Sequence, residues 1–566
     1  MKLPATQHAI QLVGPGELRL VETKDVPVPG PHQVLARVEA VGLCFSDLKL
    51  LKQFSQHARK GEIIEGLPRE VLDEIPSYVP GSRPTVPGHE VVCRIVALGD
   101  GVRHHRLNER CLVQTDYRTL RTVNSNAAFG YNFEGGLQEY VLMDERVIID
   151  PLSGERFLIP VSEDLSASAV ALVEPWACVE DSYANPERQG IKPGGRLLVA
   201  VGEGLRIQGL TEALGAARPG LAVVVRAHST DVAAVRALGI RVESAEGLSS
   251  LPAESFDDVV YFGVDPRAIE ALNDKLAPGG IANIVSQGRR IGEPVSIGIG
   301  RVHYGMTRWI GTTGNRAADA YHSIPASGEI RAGDRIAVVG AGGPMGQMHV
   351  IRNICQGVPD VSIVGTDVDD SRLHALAIKA GPLAESNRVQ LELINTTKEG
   401  LSGRFSYYAL LAPIGKLVAD AIANSREGCL INVFAGIPAP TREKLDLDTY
   451  IANRCFMFGT SGSVVRDMRI VLEKIERGQL DTNSSVDAIS GMAGAQEGLA
   501  AVENRRLAGK IIVYPMLRDL GLIPLTELAR HFPTVDEKLE GGQWTKAAER
   551  ELLRLAGADS PASVAT

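Results

Sequence analysis

Three short segments contain side chains that can bind a metal ion. Cys44 lies in VGLCFSDL, His89 and Glu90 are adjacent in VPGHEVV, and Glu174 lies in VEPWACV. Cysteine, histidine and carboxylate together form the ligand set of a catalytic zinc ion, which takes three protein ligands and keeps one position open. A lone cysteine is more often a buried core thiol. The choice between core residue and metal ligand therefore depends on the rest of the chain.

A glycine-rich turn at 340–346 is a candidate nucleotide site. DRIAVVGAGGPMG follows a predicted strand and should begin a helix, so that Gly340, Gly342, Gly343 and Gly346 let the backbone approach a pyrophosphate closely. Asp367 ends the next predicted strand, VSIVGTD. A carboxylate there can accept the ribose hydroxyls and would repel the 2′-phosphate of NADP. The pattern predicts an NAD site; a purely structural turn is the alternative, because GAGGPMG is one residue longer than usual.

The sequence contains an internal repeat. IKPGGRLLVAVGEG (191–204) is similar to IRAGDRIAVVGAGG (330–343), GGIANIV (279–285) to GCLINVF (428–434), and GTTG (311–314) to GTSG (459–462). The matches come in the same order at nearly constant spacing. From about residue 175 the pattern alternates strand, glycine-rich turn and helix, which predicts a parallel sheet covered by helices. We therefore expect two tandem nucleotide-fold units.

The first copy lacks features that favour nucleotide binding. Its turn, VGEGLRIQG, is stretched, has glycines at 202, 204 and 209, and contains Arg206. Arg226 lies where the ribose-binding acid should be. We expect a degenerate copy, although an NADP site in which Arg226 holds the 2′-phosphate stays open.

Length and composition exclude several classes of protein. A chain of 566 residues is too long for one core, and roughly three or four domains are expected. The net charge of −9 argues against nucleic acid as a partner. No apolar run approaches the roughly 18 residues of a membrane helix, and the N-terminus has no signal-peptide core. The seven cysteines are scattered, which argues against a disulfide framework. We expect a cytoplasmic protein.

The order of the motifs resembles a known family. VGLCFSDL, PGHEVV followed by ALGDGV, NFEGGLQEYV, EPWACV, the second nucleotide unit and NRRLAGKIIVYP occur as in the zinc-dependent medium-chain dehydrogenases/reductases. The resemblance is greatest to the polyol and sugar branch, with sorbitol, threonine and sorbose-phosphate dehydrogenases, and covers about 1–180 and 328–515. It implies an α/β fold class in which a GroES-like β-barrel catalytic domain is interrupted by a Rossmann domain.

The resemblance and the repeat together predict five segments. These are a catalytic domain at 1–187, a degenerate Rossmann-like unit at 188–325, an NAD-binding Rossmann domain at 326–462, a return segment at 463–515 that completes the catalytic domain, and a helical tail at 516–566. In the tail, TKAAERELLRLAG places Ala548, Leu552 and Leu555 on one helical face, as in a packing or dimer helix. Which nucleotide unit faces the zinc stays open.

The resemblance assigns roles to individual residues. Cys44, His89 and Glu90 match the ligands of one catalytic zinc, and Glu174 matches the glutamate that binds this metal directly or through water. Ser46 matches the hydroxyl that relays the alcohol proton. Asp47 should orient the ligands by hydrogen bonds.

Four departures from the family pattern limit this transfer. Phe45 replaces a small glycine and should narrow the space available to the substrate beside the metal ligands. The charged insertion at 52–83 is longer than usual and could form a lid or an oligomer contact. The four close cysteines of the structural-zinc lobe are missing, and Cys93 and Cys111 are isolated, so we expect no structural zinc. The extra nucleotide unit is the fourth departure.

These observations lead to one expected function and two alternatives. The first is a zinc- and NAD-dependent dehydrogenase that oxidises a secondary alcohol of a polyol, sugar acid or sugar phosphate, or reduces the ketone. An epimerase or lyase that regenerates bound NAD is the second, and a non-catalytic nucleotide-binding scaffold is the third. The family implies a homo-oligomer, a dimer or tetramer, and we expect no nucleic-acid or membrane partner.

Overall fold

The computed structural model describes residues 3–214 and 218–556. The chain forms two compact units, one containing the residues up to 180 and from 462 onward, the other residues 181–461. The first unit is therefore built from two separate segments of sequence. In the described part of the chain, no helix is long and apolar enough to cross a membrane.

The N-terminal segment of the first unit consists mainly of strands. Apolar and β-branched runs such as QVLARVEAVG favour extended backbone. The strands are β1 (Thr6–Gly14), β2 (Glu17–Asp25), β3 (Gln33–Gly42), β4 (Ile63–Glu65), β5 (Glu90–Leu98), β6 (Arg110–Val113), β7 (Asp116–Thr122), β8 (Asn126–Ala128), β9 (Tyr140–Asp144) and β10 (Leu158–Pro160). The helices are α1 (Phe45–Gln53), α2 (Arg69–Asp73), α3 (Glu145–Ile148), α4 (Ala167–Ala171) and α5 (Val173–Ala184).

The second unit begins with the first nucleotide-fold half. Its strands are β11 (Arg196–Val201), β12 (Leu221–Val225), β13 (Val242–Ala245), β14 (Phe256–Phe262), β15 (Leu276–Val285), β16 (Val295–Ile297) and β17 (Arg308–Thr312). Its helices are α6 (Leu210–Ala213), α7 (Ser229–Ala237), α8 (Pro266–Asn273), α9 (Gly300–Tyr304) and α10 (Ala317–Tyr321).

The second half repeats this order. Its strands are β18 (Arg335–Val339), β19 (Ser362–Asp367), β20 (Gln390–Asn395), β21 (Phe405–Leu410), β22 (Ser425–Val433), β23 (Glu443–Leu445) and β24 (Phe456–Phe458). Its helices are α11 (Pro344–Cys355), α12 (Asp370–Ser386), α13 (Lys416–Ala423) and α14 (Leu447–Ala452).

The two halves share one continuous sheet of twelve strands. Its order is β13-β12-β11-β14-β15-β17-β24-β22-β21-β18-β19-β20. Strands β16 and β23 form a separate two-stranded sheet. When only the six strands that each half contributes to the large sheet are counted, each half has the doubly wound order 3-2-1-4-5-6. The strands are parallel within each half, and the halves meet where β17 and β24 pair antiparallel. The predicted α/β class is confirmed; that the repeats share a sheet is an addition that the sequence did not indicate.

The return segment completes the main sheet of the first unit. It contains α15 (Val465–Glu476), β25 (Val486–Ser490), α16 (Ala495–Glu503), β26 (Lys510–Val513), β27 (Ile523–Pro524), α17 (Leu528–His531), α18 (Pro533–Asp536) and α19 (Lys546–Leu555). The sheet order is β10-β6-β5-β3-β26-β25-β27, with β9 also paired to β3. Strand β26 lies beside β3 through the pair Ile512 and Gly42. Residues far apart in sequence thus meet at one end of β3.

The C-terminal tail packs onto the first unit. Ala548 and Leu552 of α19 are fully buried, whereas Leu555, which the helical pattern places on the same face, is 45% exposed. The buried carboxylate of Glu549 accepts N–H bonds from Ala167 (2.6 Å) and Ser168 (2.8 Å) at the start of α4. The described tail residues therefore form a packing helix within the chain.

The insertion at 52–83 folds around a buried lysine. It contains β4 and α2, and β4 pairs with β7. The side chain of Lys60 is fully buried, and its ammonium donates to the backbone carbonyls of Val79 and Arg83. Lys60 therefore ties the two ends of the insertion together.

Candidate active site

Cys44, His89 and Glu90 come together at one end of β3. Cys44 is the N-cap residue of α1, and Glu90 begins β5, directly after His89. One ligand atom from each of the three residues lies within 4.8 Å of the other two. This distance fits a thiolate, an imidazole nitrogen and a carboxylate oxygen around one cation. The structure thus groups the three residues expected to be ligands; metal binding itself stays a prediction.

One carboxylate oxygen of Glu90 is buried without a hydrogen bond. Oε1 accepts from Nζ of Lys510 at 2.5 Å, while Oε2 has no hydrogen-bond partner among residues 3–214 and 218–556. Glu90 pairs with Gly42 across the sheet, and a Cβ at Gly42 would collide with Oε2. A buried unpaired oxygen is costly. A cation bound by Cys44 and His89 would satisfy it.

Asp47 holds two of the three residues by hydrogen bonds. Its Oδ2 accepts from the backbone N–H of Cys44 at 3.0 Å, and its Oδ1 lies 3.1 Å from Nδ1 of His89. Because Nδ1 faces Asp47, Nε2 is the nitrogen left to face a metal. Burial alone would lower the pKa of His89, but the Asp47 carboxylate raises this pKa well above its usual value. Asp47 therefore lies where an orienting residue is expected.

Lys510 is a member of this site that the sequence did not reveal. It begins β26, is 5% exposed, and pairs with Glu90. Burial acts to lower the pKa of Lys510, but Glu90 and Cys44 raise it above the usual lysine value. A lysine at the head of the apolar run KIIVYP is the sequence signal that could have indicated a buried, paired cation.

Glu174 lies near the three grouped residues, on α5. Burial raises the pKa of its carboxyl to about 7; Glu90 acts in the same direction, whereas His89 and Lys510 oppose it. The thiol of Cys178, one turn further along α5, lies 3.8 Å from Oε1 of Glu174. Glu174 is outside the 4.8 Å group, so the structure brings it to the site without making it one of the three.

The helix that follows Cys44 carries the remaining predicted residues. Ser46 is partly exposed in the first turn of α1. Phe45, expected to narrow the substrate side, is 51% exposed. The proton relay by Ser46 and the narrowing of the substrate space by Phe45 therefore stay predictions.

The insertion and the loop after strand β8 add an arginine and a tyrosine beside the site. The rings of Tyr131 and His89 are 5.8 Å apart. The guanidinium of Arg59, in the insertion, lies 5.5 Å from the centre of the Tyr131 ring and 2.7 Å from the carboxylate of Asp116. Burial would lower the pKa of Arg59, but Asp116, Tyr131 and Glu174 raise it. Sequence reasoning missed both residues because no motif contains them.

In the second unit, the five predicted nucleotide-binding residues lie together. Gly340 follows β18, Gly343 is the N-cap of α11, and the N–H of Gly342 donates to Oδ2 of Asp367 at 2.9 Å. Asp367 ends β19 and is 9% exposed. A Cβ at Gly346 would collide with the carbonyl oxygen of Gly340, so only glycine lets the helix approach the turn this closely. NAD binding stays a prediction.

In the corresponding turn of the first half, an arginine is held in an ion pair with a residue of α7. Arg206 donates to both carboxylate oxygens of Asp231, at 2.6 and 2.8 Å. Helix α6 has four residues, whereas α11 has twelve. Arg226, directly after β12, adopts a left-handed backbone with φ of 58°. These features fit a degenerate copy.

Comparison with known proteins agrees with these motifs. Residues 30–152 match the alcohol dehydrogenase GroES-like domain. L-sorbose 1-phosphate reductase of Klebsiella pneumoniae is 26% identical over 343 residues, which cover 56% of this chain and 77% of that protein. Sorbitol dehydrogenase of Bos taurus is 33% identical over 101 residues, 18% of this chain and 22% of that protein. A solved thermostable alcohol dehydrogenase of Pyrobaculum aerophilum with bound cobalt and zinc is 12% identical, with a TM-score of 0.45 over 90% of this chain and 99% of that one. Residues 30–152 therefore carry the GroES-like domain of alcohol dehydrogenases, and the chain is an oxidoreductase of the alcohol and polyol dehydrogenase kind.

Proposed function

We propose that the chain is a zinc- and NAD-dependent dehydrogenase that oxidises a secondary alcohol of a polyol, sugar acid or sugar phosphate, or reduces the corresponding ketone. The observation that carries the proposal is the group of Cys44, His89 and Glu90, whose ligand atoms lie within 4.8 Å of one another. The unpaired Oε2 of Glu90 supports a cation there. A bound zinc ion would polarise the substrate hydroxyl and lower its pKa.

The residues around this group orient ligands and move a proton. Asp47 fixes the ring of His89 and the backbone of Cys44 through its two oxygens. Ser46, partly exposed two residues after Cys44, would pass the proton of the alcohol toward solvent. Glu174, whose pKa burial raises to about 7, can accept or donate a hydrogen bond to a substrate hydroxyl at neutral pH.

The nucleotide site would be the turn at 340–346 with Asp367. Gly340, Gly342 and Gly343 line the start of α11, where backbone N–H groups favour a pyrophosphate. The carboxylate of Asp367 would accept the ribose hydroxyls. NAD bound there supplies the hydride acceptor.

Two arginines support a substrate that carries an acidic group. Arg59 stacks on Tyr131 and interacts with Glu174, and Arg118 is 49% exposed with its guanidinium 3.9 Å from Asp116. Arginine binds carboxylate and phosphate in the same planar manner. A sugar acid or sugar phosphate is therefore favoured over a neutral polyol. We further propose a homo-oligomer, a dimer or tetramer, and no nucleic-acid partner, given the net charge of −9.

The test is zinc content together with NADH formation. Wild-type protein, Cys44→Ala and His89→Ala would be supplied with zinc, desalted and analysed, with Cys355→Ala as a control cysteine outside the site. We expect one zinc per chain in wild type and control and none in the two site variants. Wild type should form NADH with acidic polyols. No zinc in the wild type after loading would refute the zinc mechanism, and bound NAD without NADH accumulation would favour an epimerase or lyase.

A further inference from the structure

The joint between the two halves of the second unit has twofold symmetry. Strands β17 and β24 pair antiparallel through Trp309 and Met457. These residues are 148 positions apart, the same spacing as GTTG at 311–314 and GTSG at 459–462. Trp309 and Met457 are therefore equivalent residues of the two repeats, and each faces its own counterpart.

A second strand pair obeys the same symmetry. Strands β16 and β23 are antiparallel, and Ser296 pairs with Lys444, again 148 positions apart. Val295 pairs with Leu445 and Ile297 with Glu443, so the partners exchange positions across this centre. In an isologous contact residue i of one copy meets residue j of the other, and j meets i. The two halves thus meet as two copies of one subunit do.

The joint has the anatomy of a permanent interface. Trp309, Ile297, Leu445 and Met457 belong to one buried core that spans both halves. The hydroxyl of Tyr450 donates to the carbonyl of Trp309 at 2.7 Å and accepts from the N–H of Met457 at 2.8 Å. An apolar centre of this kind is typical of obligate contacts.

The rim of the joint is polar. Arg442 of the second half donates to Asp274 of the first at 2.7 Å and to the carbonyl of Ser296 at 2.9 Å. Asp448 accepts the N–H groups of Ile291 and Gly292, both at 2.9 Å. These bonds fix the register of the two halves.

The first half keeps this pairing surface although its glycine-rich turn departs from that of the second half. Arg206 in the glycine-rich turn is paired with Asp231, and α6 has four residues. An unpaired strand at a sheet edge is a template for another chain. Here β17 and β24 cover each other, so neither offers a free edge.

We infer that residues 188–325 serve as a built-in partner: they occupy, within one chain, the surface through which the second half would otherwise pair with a second copy. The first half then works as an interaction module and a structural support for the nucleotide-binding half. Any assembly of whole chains must use another surface. The inference is independent of zinc and of the substrate.

A cysteine cross-link at the symmetry centre tests this in the full-length chain. Residues directly opposite in an antiparallel pair have Cα atoms about 4.5–5.5 Å apart, which a disulfide can bridge. Ser296→Cys/Lys444→Cys would be oxidised with copper phenanthroline beside each single variant and the wild type. We expect the double variant to form a 296–444 disulfide within one chain, found by peptide mass spectrometry, with no covalent dimer.

Two results would overturn the inference. A covalent dimer joined through residues 296 and 444 would show that the edge pairs with a second copy. Two reactive thiols without any cross-link would show that the strands do not pair in solution. The single variants and wild type reveal cross-links of the native cysteines.

Discussion

Gly42 and Glu90 lie directly opposite each other on neighbouring antiparallel strands, and Oε2 of Glu90 takes the space that a side chain at Gly42 would fill. Gly42→Ala must therefore displace the carboxylate. Mutating residues that orient the metal ligands without binding the metal typically lowers metal affinity by about 10- to 100-fold. We expect Gly42→Ala to lower the zinc affinity by a factor in this range. Competition titration with a chromogenic chelator measures it.

A second glycine in the same unit is the matched control for this experiment. At Gly61 an added Cβ would make only ordinary contacts, the nearest at 3.5 Å to the carbonyl of Ala58. Gly61→Ala should keep wild-type zinc affinity. Unchanged affinity in Gly42→Ala would mean that Glu90 is not a ligand.

Lys510 compensates the charge of Glu90 when no metal is bound. Lys510→Met leaves the buried carboxylate of Glu90 without its paired cation. Breaking a buried pair costs about 3–5 kcal/mol, so the melting temperature of the metal-free protein should fall. Zinc should restore much of this loss, so we expect a larger zinc-induced rise in melting temperature than in wild type.

Lys474→Met is the corresponding control. Lys474 pairs with Glu180 at 2.7 Å in the same unit. Its removal should lower stability while leaving the zinc-induced rise unchanged. Equal zinc-induced rises in Lys510→Met and wild type would contradict a role for Glu90 in metal binding.

The nucleotide stoichiometry distinguishes the two glycine-rich turns. We expect calorimetry to find one NADH per chain, with Arg226→Ala unchanged, because Arg206 in the first turn is already paired with Asp231 and the helix after this turn has only four residues. Asp367→Asn keeps an acceptor but removes the charge that opposes a 2′-phosphate. Like charges about 4 Å apart repel by up to ~4 kcal/mol near a surface, so the preference for NAD over NADP should fall by at least about tenfold. Two nucleotides per chain would contradict this assignment.

Local motifs indicated the metal group, whereas long-range pairing determined the rest of the site. Cys44, His89 and Glu90 stand in short segments with a recognisable spacing. Lys510 reaches Glu90 only because β26 lies beside β3, and the sequence separates these two residues by 420 positions. The repeat predicted two nucleotide folds, but their union in one sheet depends on how β17 and β24 pair, which no local pattern specifies.

The tail helix depends on one buried carboxylate. Glu549 accepts the N–H groups of Ala167 and Ser168 and the hydroxyl of Tyr514. Hydrogen bonds to a charged group contribute about 1.5–3 kcal/mol, so Glu549→Gln should lower the free energy of unfolding of the first unit by a similar amount in urea titration. Glu537→Gln, on an exposed tail position, should leave it unchanged. Equal stabilities would mean that the tail does not support α4.

Lys60 should make the stability of the insertion depend on pH. Burial and the nearby charge of Arg83 lower the pKa of Lys60 to about 7, whereas an unfolded lysine has a pKa of about 10.4. Between these values the unfolded segment binds a proton that the folded one has released, so folding becomes more favourable as pH rises from about 7 toward 10. A neutral amine still has two N–H groups for the carbonyls of Val79 and Arg83.

Hydrogen exchange of the amides in 52–83, corrected for the intrinsic effect of pH, measures this gain. Wild type should show increasing protection between pH 7 and 9.5, because the charged form of Lys60 disappears from the folded insertion in this range. Lys60→Met has no titrating group there, so its protection should be lower throughout, since two buried carbonyls lose their donor, and should not rise with pH. A parallel pH dependence in both proteins would show that Lys60 stays charged when folded, held by the two carbonyls.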